Sequence, residues 1–385
     1  MKIVIAGGGT GGHLFPALAV ARGLEKALPG IKITFAGTAK GIEAKVIPRE
    51  GYDLRFIRSE GLIGRDILGT VRSLFKVILS LKDSRRILKE IRPDAVMGVG
   101  GYSSGPVLLC AWLMGIPTII HEQNIMPGFT NRLLGKIVDT VAVTYHESTR
   151  HFPPDKTFIT GNPVREEIFR GSREAGLKTF SLRKGLFTIF VFGGSSGATR
   201  INEAVGEALD HLEAYKENIQ FLHQTGNRDF DAVKDVYHSK GFKGTVVPFA
   251  HEMADAYAAA DLIISRAGAT TLAELTSCGK AAILVPYPHA AANHQEINAK
   301  KLWDIGAAQM VLERDLNGRT LSDMIKYLME NPGSLAEMEQ MSKSLGGRDA
   351  TGKVVERIQA LLKKRMRTES RTGNAEDGTR TTVKG

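Results

Sequence analysis

The stretch IVIAGGGTGGHLFP, residues 3–16, sets five glycines and a histidine directly behind a short apolar run. Glycines let backbone N–H groups point outward, and a following helix offers its N-terminus to an anion or a polarised oxygen. His13 falls in the first turn of that helix, where the dipole disfavours the imidazolium and leaves a neutral ring able to take a proton. It could equally cap the loop. Two familiar motifs fit only in part. Gly7, Gly9 and Gly12 match G-x-G-x-x-G, but the second strand, TFAGTAKG, has no Asp or Glu at its tip to hold an adenosine ribose. Gly7 and Gly12 also have P-loop spacing, yet His13 and Leu14 stand where Lys and Ser/Thr would be needed.

The second half carries more polar groups at strand ends. In FGGSSGATR, Ser195 can donate its hydroxyl to a diphosphate. In SRAGATTLAEL, Ala269, Thr270 and Thr271 open a helix that runs through Leu272 and Ala273 to Glu274, a carboxylate suited to a ribose diol. PYPHAAANHQEINA then brings His294, Gln295 and Asn298 to the next strand end. Each alone fits a cap or a loop contact. Together they point to a nucleotide-sugar pocket. The D-x-D at Asp229–Asp231 reads as an acidic helix start rather than a metal site, since carboxylates complement the dipole there.

The elements that must position these residues are strands alternating with helices: KIVIA, KITFAG, LRFI, DAVMGV, PTIIH and TVAVT, then FTIFVF, IQFLH, GTVVPF, DLIIS and AAILVP. The pattern implies parallel sheets covered on both faces. Each half opens with a strand, a glycine-rich loop and a helix, so the fold class is α/β with two doubly wound, Rossmann-like domains, each binding ligand at the carboxyl ends of its strands. The boundaries expected are 1–163, 164–345, a final helix over 346–364, and a polar tail, 365–385, too poor in apolar residues to fold.

With 385 residues, 43% hydrophobic and 24% charged, the chain is of the size and composition of a globular two-domain protein. The formal charge of +10 favours anionic partners without choosing among them. Two cysteines, Cys110 and Cys278, lack metal-ligand spacing and read as buried free thiols of a reducing compartment. Met1-Lys2 runs straight into the first strand, so no signal peptide is expected there. The charge-free run from Ala95 to Ile120 is punctuated by Gly and Pro, so it reads as buried strand–helix–strand and not as a membrane span. The helix expected over Ile67–Ile91 places Val71, Phe75, Ile78 and Leu81 in a stripe flanked by Arg72, Lys76, Lys82, Arg85, Arg86 and Lys89. That stripe either packs on the sheet or lies on an anionic membrane surface.

The ordered set GGGTGGHLFPALAVA, GVGGYSSGP, HEQNIMPGFTNRLL, TGNPVR, FGGSSGATRIN, HQTG, SRAGATTLAEL and NHQEINA resembles the MurG-type glycosyltransferases over nearly all of Lys2 to Leu362. The resemblance implies the two-domain GT-B fold, with a cleft that can close and a last helix returning to the first domain. It implies transfer of N-acetylglucosamine from UDP-N-acetylglucosamine to an undecaprenyl-linked muramyl-pentapeptide, with inversion. The donor would lie in the second domain and the acceptor in the first, and no cofactor or metal is needed. It assigns Arg165, the Phe249–Ala250 backbone and Glu274 to the uridine and ribose, and Ser195 with Ala269–Thr271 to the diphosphate. Gln295, His294, the Thr10–Gly11–Gly12 loop and Asn124 go to the sugar. His13 is the candidate base, with Glu122 and His121 as rivals. It further implies peripheral attachment to the cytoplasmic face of the bacterial plasma membrane through the Val71–Leu81 stripe, extended by Trp112 and Lys136, and contact with other cell-wall synthesis proteins. One departure is Ser196, where the family often has glutamine. The alternatives are a diacylglycerol glycosyltransferase, a Rossmann oxidoreductase, and a non-catalytic membrane or nucleic-acid binder. No stacking-aromatic pattern supports nucleic acid.

Overall fold

The computed structural model describes residues 1–59, 67–194, 197–347 and 349–364, with backbone alone over 67–76. The tail 365–385, Ser195, Ser196 and the side chains of Val71, Arg72, Phe75 and Lys76 lie outside the described residues. The chain divides into two compact units. One comprises Met1–Gln123, Pro127–Pro163 and the segment from Asp349 onward; the other comprises Asn124–Met126 and Val164–Arg348.

The first unit is built on seven strands, β1 (Lys2–Ala6), β2 (Lys32–Gly37), β3 (Asp53–Phe56), β4 (Ala95–Gly98), β5 (Thr118–Glu122), β6 (Thr140–Val143) and β7 (Thr157–Ile159). They pair in parallel in the order β3-β2-β1-β4-β5-β6-β7. Strand alternation sends Ile3 and Ile5 into one apolar layer and Val4 and Ala6 into the other. Both faces are therefore covered, as the apolar runs require. The helical run 350–364 closes one face: Val354, Val355, Ile358 and Leu361 join the layer of Ile3 and Ile5. A Cβ on Gly23 would sit 2.7 Å from Thr351 Cγ2, so glycine lets that run approach the helix Gly11–Ala27 closely.

The second unit has six parallel strands, β8 (Phe187–Phe192), β9 (Ile219–Gln224), β10 (Gly244–Val247), β11 (Leu262–Ser265), β12 (Ala282–Leu284) and β13 (Gln309–Met310), ordered β10-β9-β8-β11-β12-β13. Ile189 and Val191 face one layer, Phe190 and Phe192 the other.

In each sheet the order reverses once, between β1 and β4 and between β8 and β11. At such a switch point the neighbouring connections leave toward opposite faces, and the carboxyl ends of the two strands open a crevice. The two glycine-rich loops, after β1 and after β8, stand at these points. The charge-free run Ala95–Ile120 is β4, the helix Ser104–Leu113 and most of β5, and among the described residues no helix is long and apolar enough to cross a membrane. Cys110 is buried and Cys278 only half-buried, and they form no disulfide. The expectation of two buried thiols is corrected at Cys278, which closes the helix Ala269–Cys278.

Candidate functional site

At the first switch point, two glycine loops interlock. Gly7, Gly8 and Gly9 have φ of 154°, 144° and 85°, and Gly100 and Gly101 have 92° and 81°, values that L side chains rarely adopt. A Cβ on Gly7 would meet Val99 Cγ2 at 2.2 Å, and one on Gly101 would meet the Gly8 carbonyl oxygen at 2.6 Å. Thr10 is the N-cap residue of the helix Gly11–Ala27, its carbonyl accepting from His13 N and Leu14 N, and Gly11 and Gly12 take part in the first turn. His13 lies in that turn, half-buried, with Nδ1 3.4 Å from Thr10 Oγ1. A Cβ on Gly100 would be 2.9 Å from His13 Nε2, so the imidazole lies against the backbone at the end of β4. Glycine at 100 makes room for the ring.

A carboxylate that pattern reasoning missed holds the first loop. Glu43, 1% exposed, accepts hydrogen bonds from Gly9 N at 2.7 Å, Thr38 N at 2.9 Å and Thr38 Oγ1 at 2.8 Å. Gly8, Gly37 and Gly41 all pass so close that a Cβ on any of them would strike its side chain. The loop N–H at Gly9 is thus satisfied by the protein's own anion. The only sequence signal is an acidic residue in GIEAK, just after the tip of β2.

The HEQN segment ends β5. His121 is fully buried, with Nε2 3.0 Å from the Gly161 carbonyl; burial pushes its pKa down to about 4, and nearby His13 adds to the depression. Glu122 is buried and accepts from Gly128 N at 3.1 Å and Asn131 Nδ2 at 2.9 Å, so it anchors the turn into the helix Phe129–Leu134. Gln123 donates to the Val99 carbonyl at 2.9 Å. This last bond ties the end of β5 to the glycine loop after β4.

In the second unit, Gly194 and Gly197 have φ of 94° and 77°, and a Cβ on Gly197 would lie 2.0 Å from the Thr225 carbonyl oxygen. Gln224, buried at the end of β9, donates to the Gly194 carbonyl at 2.9 Å and accepts from Ala250 N at 3.1 Å. It fixes the second glycine loop to the Phe249–Ala250 segment, where Phe249 is exposed and stacks edgewise on His251 at 4.9 Å. Only the HQTG motif hinted at this residue.

The helix Ala269–Cys278 follows β11 with Gly268 as its extended cap. Thr270, Leu272 and Ala269 are buried, and Thr271 and Ala273 are half-buried. Glu274, in the second turn, is 5% exposed; Tyr257 Oη donates to its Oε2 at 2.9 Å, and Arg165 Nη2 lies 3.5 Å from Oε1. Burial pushes the Glu274 carboxyl up, against the opposing pull of Arg165 and Tyr257. Next to β12, Ala292 and Asn293 are consecutive non-glycine residues with φ of 51° and 53°, a strained pair of the kind found at binding loops. The helix His294–Asp304 begins there. Gln295 accepts from Tyr287 N at 3.0 Å, and His294 Nδ1 lies 2.7 Å from the Ala291 carbonyl, with burial lowering its pKa. Asn298 accepts from Ile125 N at 3.1 Å and donates to Asn124 Oδ1 at 3.0 Å, which orients Asn124. Asp229 accepts from Thr199 Oγ1 at 2.7 Å and Asn202 Nδ2 at 2.9 Å, a helix-fixing role. Among the described residues no His, Cys, Asp or Glu cluster is placed to hold a metal.

Two glycine loops at two switch points, with a helix N-terminus and a buried carboxylate in the second unit, do not by themselves specify a family. The profile of the glycosyltransferase family 28 N-terminal domain matches residues 3–143, and that of its C-terminal domain matches residues 188–375. The chain belongs to glycosyltransferase family 28. Among its family-28 relatives, the UDP-N-acetylglucosamine–N-acetylmuramyl-(pentapeptide) pyrophosphoryl-undecaprenol N-acetylglucosamine transferase of Thermodesulfovibrio yellowstonii is 47% identical over 95% of this chain and 100% of its own. The transferase of the same name from Myxococcus xanthus is 46% identical, covering 91% and 90%. The crystal structure of Acinetobacter baumannii MurG superposes with a TM-score of 0.74 at 33% identity, over 93% and 99% of the two chains. A UDP-GlcNAc 2-epimerase from Neisseria meningitidis, 14% identical over 94% and 100% with a TM-score of 0.67, shares the fold alone. The two doubly wound units of this family-28 chain are those of the GT-B fold.

Proposed function

We propose that the chain transfers N-acetylglucosamine from UDP-N-acetylglucosamine to the C4 hydroxyl of undecaprenyl-pyrophosphoryl-N-acetylmuramyl-pentapeptide, inverting the anomeric centre. The observation that carries this is the 47% identity, across 100% of its length, to a transferase of that name. The residue assignments are those the resemblance implies, supported at His13, Glu122 and Glu274 by the contacts described above. With the proton of His13 on Nδ1, toward Thr10 Oγ1, Nε2 is the basic nitrogen. It takes the proton of the C4 hydroxyl as the oxygen forms its bond to the anomeric carbon and the bond from that carbon to the diphosphate breaks. Thr10, Gly11 and Gly12 border the same loop. His121, buried and neutral, and Glu122, engaged with Gly128 and Asn131, set the floor. In the donor unit, Arg165, Ala250 and Glu274 receive the nucleoside. The N-terminus at Ala269–Thr271 together with Ser195 offsets the charge of the leaving diphosphate, and Gln295 and Asn124 meet the sugar.

The acceptor's lipid requires docking at a membrane, on this reading its cytoplasmic face. Ile78 (57% exposed), Trp112 (44%) and Leu113 (68%) are exposed apolar residues of the helices Ile67–Ile91 and Ser104–Leu113. A cavity of about 650 Å³ is lined by Leu81, Leu109 and Leu113 together with Lys82, Arg85 and Lys89. Apolar residues framed by cations suit an anionic interface. Lys136 is exposed, and its carbonyl accepts from Lys156 Nζ.

Transfer of labelled sugar from UDP-N-acetylglucosamine to a soluble muramyl-pentapeptide lipid analogue, with the product's anomer read by NMR, tests the proposal. A β-linked disaccharide supports it. An α-linked product, or none, overturns it.

A further inference from the structure

Tyr257 is among the largest fully buried side chains of the protein, and its hydroxyl has no part in the transfer proposed above. Its ring meets Phe190 and Phe192 of β8 edge-on, with centroids 6.1 and 6.0 Å apart and interplanar angles of 83° and 85°. Those two rings are themselves stacked at 4.7 Å. The hydroxyl is therefore placed by the sheet core and by the helix Met253–Ala259, not by a loop. From there it donates to Glu274 Oε2 at 2.9 Å. A carboxylate offers about four lone-pair directions. Tyr257 and Arg165 fix the plane of this one while directions remain for two further donors, the number a vicinal diol supplies.

We propose that Tyr257 is a positioning residue for nucleotide recognition: its hydroxyl locks the Glu274 carboxylate in the orientation that receives the ribose diol of the donor. The inference deepens the donor-site reading above and rests on it. Arg165 lies 3.5 Å from the same carboxylate, whereas the tyrosine bond is short and backed by the core. Removing that bond leaves the carboxylate free to turn about its last torsion and leaves a buried charge with one donor fewer.

The test is calorimetric titration of UDP and of 2′,3′-dideoxy-UDP, which lacks the diol, into the wild type, Tyr257→Phe, Glu274→Gln and the double variant. Phenylalanine keeps the ring and its contacts. The expected result is that the wild type prefers UDP to the dideoxy compound by on the order of a hundredfold, two hydrogen bonds to a charged group. Tyr257→Phe weakens UDP about tenfold and leaves the dideoxy compound within twofold. In the Glu274→Gln background the tyrosine substitution has no further effect. Equal weakening of both ligands by Tyr257→Phe would overturn the inference, because packing damage does not distinguish them. So would persistence of its effect without Glu274. Should the wild type fail to discriminate between the two ligands, the assignment of Glu274 to the ribose falls and the inference with it. If the wild type discriminates and Tyr257→Phe discriminates equally, only the role of Tyr257 falls.

Discussion

Gly9 N donates a 2.7 Å hydrogen bond to the buried carboxylate of Glu43, 34 residues away in sequence. The glycine loop is therefore held from beneath by the protein's own anion, which also takes both donors of Thr38. Glu43→Ala removes the acceptor of three donors, on exposed Gly9 and half-buried Thr38, at about 0.5–1.5 kcal/mol for each hydrogen bond lost. The expected outcome is a lower melting temperature together with at least a tenfold loss of turnover, while UDP affinity, which the proposal assigns to the other unit, is unchanged. Thermal unfolding, steady-state rates and UDP titration on one preparation check this.

His13 and Gly100 make a paired prediction. His13→Ala removes the proposed base and should cut turnover a hundredfold or more with little change in UDP affinity. Gly100→Ala leaves the histidine in place but sets a methyl 2.9 Å from its Nε2, at a φ of 92° that disfavours alanine. It should also lower turnover, by tenfold or more, without changing UDP affinity. Normal turnover in both variants removes the ring from the mechanism.

The buried carboxyl of Glu274 gives a pH dependence with a definite sign. Burial raises its pKa and Glu167 adds slightly, while Arg165 and the hydrogen bond from Tyr257 oppose the rise. The ionised form is the one that accepts a diol, so protons compete with donor binding. Affinity for UDP-N-acetylglucosamine, whose diphosphate diester does not titrate in this range, should be flat at pH 8 and fall as pH drops through the raised value. In Glu274→Gln the profile should be weak and flat.

Cations around Leu81 and Leu113 should matter only when a membrane is present. Arg85→Glu with Lys89→Glu should weaken binding to phosphatidylglycerol vesicles by tenfold or more, from about 1 kcal/mol for each cation near such a surface. Turnover of a short-chain, water-soluble acceptor should stay the same. Unaltered vesicle binding would place the docking surface elsewhere.

Much of this was legible in the sequence because the signals are local. Apolar runs such as IVIA and FTIFVF, each ending in glycines, mark strand, loop and helix without tertiary information. The two-residue β13 and three-residue β7 are too short to carry a pattern. The helix at Gly11 begins ahead of its apolar periodicity because glycine, a poor helix former, takes part in its first turn. Glu43, Gln224 and Tyr257 escaped notice for another reason. Each acts through at least one partner 17 to 34 residues away, so only the fold reveals what its polar atom holds. Glu274 stood out as a polar residue at a helix start; its tyrosine partner lay hidden in the alanine-rich ADAYAAAD.

The most direct measurement is UDP release from UDP-N-acetylglucosamine in the presence of either a lipid-linked muramyl-pentapeptide analogue or diacylglycerol. The account predicts rapid release with the muramyl lipid alone. Release with diacylglycerol alone would keep the GT-B fold and the donor half of the site but contradict the acceptor assigned here.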